Sequence, residues 1–71
     1  MNETERHYQE IQPLWLTTRE VAAMLQFSLS KTKMLVASGE IRSVKDGGHR
    51  RILPEWVEGY ITRRVHESEA A

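Results

Sequence analysis

The sequence predicts a small α+β domain in the order helix, helix, β-hairpin, helix. Three observations predict it. Thr17-Thr18-Arg19-Glu20 has the spacing of a capping box; Ser28 and Gly39 bracket a second apolar-periodic stretch; and Asp46-Gly47-Gly48 separates two short alternating runs, the second opening His49-Arg50-Arg51. The 71 residues accommodate one domain, since domains run to about 50–250 residues.

The first helix is expected over about residues 18–26. The Thr17 hydroxyl can accept the orphan N–H of Glu20 while the Glu20 carboxylate reaches back. Val21, Ala22, Met24 and Leu25 supply an apolar stripe that gives out at Gln26-Phe27. A second helix starts after Ser28, a good N-cap, and ends at Ser38-Gly39, where glycine accepts a left-handed backbone without a side-chain clash. Thr32, Leu35 and Val36 share its inner face with Leu29 at the edge, which leaves Ser30, Lys31, Lys33 and Met34 outward. Two helices joined by a few residues around Phe27, the second basic in its N-terminal half, have the spacing of a helix-turn-helix.

Past Gly39, Ile41 and Val44 alternate with polar residues, and Ile52-Leu53 do so beyond the glycines, which reads as a hairpin. The glycines supply the positive φ of a tight turn, and Lys45, His49, Arg50 and Arg51 decorate the arms and tip. Pro54 suits the first turn of a last helix, where its missing N–H costs nothing, and Trp56, Val57, Tyr60 and Ile61 form that helix's expected buried stripe. The expected organisation is a flexible lead-in over 1–13, one folded domain over 14–64 and a frayed acidic tail over 65–71.

The formal net charge of zero conceals a segregation. Residues 28–53 hold Lys31, Lys33, Arg42, Lys45, Arg50 and Arg51 against Glu40 and Asp46, a net of +4, while each flank nets −2. A positive centre on a neutral chain is what a localised phosphate-contacting surface looks like, although charged runs also serve as solvated faces. The absence of cysteine excludes disulfides and thiolate metal sites and points to a reducing, cytosolic setting; no apolar run approaches the ~20 residues of a membrane span. No two of His7, His49 and His66 lie at helical ligand spacing from each other, so no metal site is expected. No histidine is placed to activate Ser28 or Ser30, so neither a catalytic residue nor a cofactor is expected.

The runs Leu16-Thr17-Thr18-Arg19-Glu20-Val21-Ala22, residues 28–36, Ser38-Gly39-Glu40-Ile41 and Gly47-Gly48-His49-Arg50-Arg51-Ile52 resemble, in this order and spacing, the MerR-like winged helix. Within that fold they are most similar to the excisionase-type DNA-binding domains of phages and mobile elements, over roughly residues 14–62. The resemblance implies a winged helix-turn-helix with the second helix in the major groove and the wing against the minor groove or backbone. It also implies an accessory factor that bends DNA and steers an integrase toward excision. Gln26 stands where such sequences often have glycine, so the turn must be made with a side chain present, and Leu53 precedes Pro54 where a polar cap is more usual. MerR regulators proper continue into a long coiled-coil helix and an effector domain, for which this chain leaves no room.

The expected DNA-contacting residues are Arg19, Ser28, Ser30, Lys31, Lys33, Lys45, His49, Arg50 and Arg51. Each has a plainer use. Arg19, Lys31 and Lys33 can simply cover the surface, Ser28 can serve as a cap, and Arg51 can pack its stem and pair with a carboxylate such as Glu40 or Glu55. Arg50 and Arg51 are neighbours on one strand and point to opposite faces, which favours a functional use for both. Trp15 and Trp56 belong to the core or its edge, and an exposed Trp15 becomes a contact for a neighbouring protomer or for the integrase. The expected partners are double-stranded DNA, an integrase and further copies of the chain side by side on DNA, in the cytoplasm of a bacterial host at the nucleoid. Two other functions fit the pattern, a small repressor on a two-fold symmetric site and a winged helix that docks an acidic protein.

Overall fold

A computed structural model describes residues 15–70. Within them the order is α1 (Thr18–Leu25), α2 (Leu29–Ala37), β1 (Val44–Asp46), β2 (His49–Arg51) and α3 (Pro54–Ala70). This is a winged helix-turn-helix, with the antiparallel pair β1-β2 as the wing. The lead-in 1–13 lies outside the described residues.

Local chemistry sets the helix ends. Thr17 is extended, its hydroxyl accepts the Glu20 N–H at 3.0 Å, and the Glu20 carboxylate accepts the Thr17 N–H at 2.8 Å. The capping box is complete. α1 closes on a left-handed residue, Gln26 (φ 58°, ψ 37°). Its N–H donates to Ala23 O at 3.2 Å, and Phe27 N–H donates to Ala22 O at 3.0 Å, the paired bonds of a Schellman ending. The side chain of Gln26 does stand where the backbone prefers glycine. The Ser28 hydroxyl caps α2 by accepting the Lys31 N–H at 3.1 Å. Gly39 (φ +84°) then reverses the chain, and Ile41 N–H returns to Leu35 O at 3.1 Å.

The core is Val21, Leu35, Val36, Ile41, Ile52, Val57 and Tyr60, with Leu16, Leu25, Phe27 and Trp56 packed against it. Every element but the wing contributes. Val21, Ile41, Ile52 and Val57 are fully buried, each a gain of about 1.5–3 kcal/mol over exposure. Phe27 meets Tyr60 edge to face, centroids 6.4 Å apart, which seats the helix-helix turn on α3. Thr32 is buried without penalty because its hydroxyl donates to Ser28 O at 2.9 Å.

The wing departs from the expected hairpin in length. Its pairs are Val44↔Arg51, Lys45↔Arg50 and Asp46↔His49, and neither isoleucine of the expected arms belongs to it. Both are diverted: Ile41 bonds back to α2, and Ile52 pairs with Leu16 through N–H···O bonds of 2.7 and 3.0 Å. The core's demand for these side chains pulls their backbones out of the ladder. Only Gly47 has positive φ (+64°), the sign pattern of a type II′ turn, so Gly48 does not supply the second positive φ expected of it.

Two expected core residues are exposed, Met24 (55%) and Ile61 (44%). The inner face of α1 is carried by Val21 and Ala22 with Leu25 at its edge, and α3 outruns the small core after Tyr60. The stretch expected to fray past Val65 continues as helix through Ala70. It contains neither glycine nor proline, and Arg64 pairs with Glu67 at 3.0 Å one turn along.

Candidate nucleic-acid interface

Of the expected contact residues, the wing pair is the most clearly assembled. Cross-strand partners in an antiparallel ribbon share a face, so Lys45 and Arg50 stand together on one side of the wing. Both are exposed, and among the described residues neither has a carboxylate within ion-pair distance. Directly opposed like charges destabilise a ribbon by a few tenths of a kcal/mol, a cost that a polyanion would remove. The other side of the wing carries Val44, Asp46, His49 and Arg51. There Arg51 Nε lies 3.9 Å from the Asp46 carboxylate, so its partner is neither Glu40 nor Glu55. A diagonal position two residues along the facing strand put Asp46 within reach, which sequence distance disguised. Arg51 is half-buried and partly neutralised, whereas His49 is exposed beside the turn.

On α2 the expected residues separate. With about 100° between successive residues, Ser30 and Met34 form the outward crest, while Lys31 and Lys33 fall on opposite flanks. Lys31 is held: its ammonium sits 4.0 Å over the Phe27 ring. Lys33 is exposed, and among the described residues no aromatic ring holds it. The Ser28 hydroxyl is already engaged as the cap of α2. Arg19 is exposed in the first turn of α1, the end at which the helix dipole disfavours a cation.

Two basic residues that the sequence reading counted only toward the charge balance are also fixed in place. The Arg42 guanidinium lies 4.9 Å over the Trp56 ring, and Arg63 Nη2 donates to the carbonyl of Glu40. Neither pairing follows a helical or strand period, so no local pattern announced it. Trp56 in turn meets Trp15 at 6.4 Å, and Trp15 is 44% exposed, at the core's edge. Among the described residues no group of three or more His, Cys, Asp or Glu could hold a metal ion, and no helix is long and apolar enough to cross a membrane.

Residues 15–65 match the family model described as "Helix-turn-helix domain". The chain is 43% identical over 56 residues to a protein of Saccharopolyspora erythraea described as "Probable excisionase". That alignment covers 79% of this chain and 57% of the relative, so the chain spans little more than half of the relative's length. No solved structure matches.

Proposed function

The chain belongs to the helix-turn-helix domain family, and from that membership we propose that it is a DNA-binding excisionase. α2 enters the major groove of double-stranded DNA, with Ser30 on the crest and Lys31 and Lys33 on the flanks, and the wing lies along the backbone or minor groove. The observation that carries the reading is the uncompensated pair Lys45 and Arg50 facing each other on the exposed wing. The similarity to a protein described as a probable excisionase supports recombination as the setting.

Affinity is dominated by phosphates. Arg19, Lys33, Lys45, His49 and Arg50 supply the contacts, Arg51 contributes less because Asp46 shares its charge, and binding weakens with salt as counterions leave. A single module of this size covers ~600–1,000 Å² of its own surface, too little for strong selective occupancy, so copies bind side by side on repeated sites and the DNA curves. Bent in this way, the DNA presents an integrase with the geometry for excision. The setting is the cytoplasm of a bacterial host, at the nucleoid.

Selection of bound duplexes from a random-sequence pool, followed by gel shifts at two salt concentrations, tests this. The expected outcome is direct repeats spaced near one helical turn with cooperative, salt-sensitive shifts. An inverted repeat would replace the excisionase with a dimeric repressor, and no shift at low salt would remove DNA from the account.

A further inference from the structure

Cations in this fold divide by what holds them. Arg51 and Arg64 are paired with carboxylates, while Arg19, Lys33, Lys45 and Arg50 are exposed and, among the described residues, have neither an ion pair nor an aromatic ring holding them. Arg42 and Arg63 are in a third condition. An indole face holds the first and a backbone carbonyl the second, and among the described residues neither has a carboxylate within ion-pair distance. They are oriented without being neutralised.

Both line one cleft of about 400 Å³ between residues 39–42 and α3, and Arg64 lines it too. Of its two carboxylates, Glu67 is engaged by Arg64 at 3.0 Å, and Glu40 pairs with none of the three arginines. The Arg42 guanidinium carbon lies 4.9 Å from the indole centroid, and a planar guanidinium can grip a phosphate with two parallel bonds. Pre-orientation also lowers the entropy lost on binding.

We infer that this cleft is a second anion seat, in which Arg42 and Arg63 take a phosphodiester of the DNA held by the wing. It rests on the DNA-binding reading above and extends it to residues outside both α2 and the wing. Arg42 precedes β1 by two residues, so a backbone following the wing's edge runs on toward it. The same chemistry would take free phosphate, and the test separates the two.

Fluorescence anisotropy of a short labelled duplex is measured against salt for the wild type, Arg42→Gln, Arg63→Gln and the double variant, with thermal melts as a check on folding. Each lost contact is expected to flatten the slope of log K against log salt by about 0.9, and the double by about 1.8. Since Arg42 makes no side-chain hydrogen bond among the described residues, Arg42→Gln carries the test should Arg63→Gln unfold. If the wild type binds and both variants keep its slope while Lys45→Gln flattens it, the seat is overturned and the DNA reading stands. If the wild type binds no duplex, arginine side-chain NMR with inorganic phosphate decides. Shifts at Arg42 and Arg63 would then keep the seat for free phosphate, and their absence would end it.

Discussion

Neutralising one end of the Lys45–Arg50 pair should move stability and DNA affinity in opposite directions. The two residues are cross-strand partners on an exposed face, and among the described residues no carboxylate pairs with either, so their mutual repulsion destabilises the wing in the free protein. Cross-strand pair effects span about 0.2–1 kcal/mol, and exposure places this one at the low end, about 0.3 kcal/mol. Lys45→Gln should therefore raise the melting temperature by about 1–2 °C, given about 4–8 °C per kcal/mol for a domain of this size. Arg50→Gln relieves the same repulsion, so the double variant should gain nothing further over either single one. On DNA the arithmetic is different, because each side chain loses its own phosphate. Each single variant should flatten the salt slope by about 0.9 and the double by about 1.8, so that over a fourfold rise in salt each contact accounts for about a 3.5-fold change in affinity. Thermal melts and anisotropy titrations read the two quantities on the same samples. A double variant with the wild-type salt slope would refute the reasoning, whatever it did to stability.

Two further variants probe the scaffold. Gln26→Gly should stabilise the fold by about 0.5–1 kcal/mol, read by chemical denaturation, because Gln26 holds φ 58° where glycine has no steric penalty, less the greater backbone freedom glycine loses on folding; Gln26→Ala should show no such gain. Thr32→Val should change stability by less than about 1 kcal/mol, since the Ser28 carbonyl that accepts the Thr32 hydroxyl also accepts the Thr32 N–H at 3.1 Å and is left satisfied; a loss of several kcal/mol in a urea melt would show that the hydroxyl holds the turn.

What the sequence made legible was whatever depends on near neighbours. The Thr17–Glu20 box, the Ser28 cap, the reversal at Gly39 and the turn at Gly47 are each decided within a few residues, and all stand where expected. The inner face of α2 was equally legible, because Thr32, Leu35 and Val36 follow the helical period through a stretch buried on one side only. Met24 and Ile61 misled for the complementary reason. An apolar residue at a permissible phase faces the core only if the core extends that far, and here it does not. At the interface, the identity of the basic side chains could be read but not what fixes them. The Arg51–Asp46, Lys31–Phe27, Arg42–Trp56 and Arg63–Glu40 contacts depend on the closed fold, and they sort the cations into neutralised, oriented and free.

The two bonds between Leu16 and Ile52 bear on how the chain acquires this shape during synthesis. Everything from α1 through the wing lies inside the loop they close, so its closure entropy is met by this bridge and the core beneath it. α1 and α2 lie next to each other along the chain and can pair as they leave the ribosome. The base of the wing cannot be secured until Ile52 has emerged to meet Leu16, and the seating of Phe27 on Tyr60 comes later still. A nascent chain paused before that point presents a finished helix pair above an open core, so the wing surface comes into being after the helix pair and before α3 closes the core.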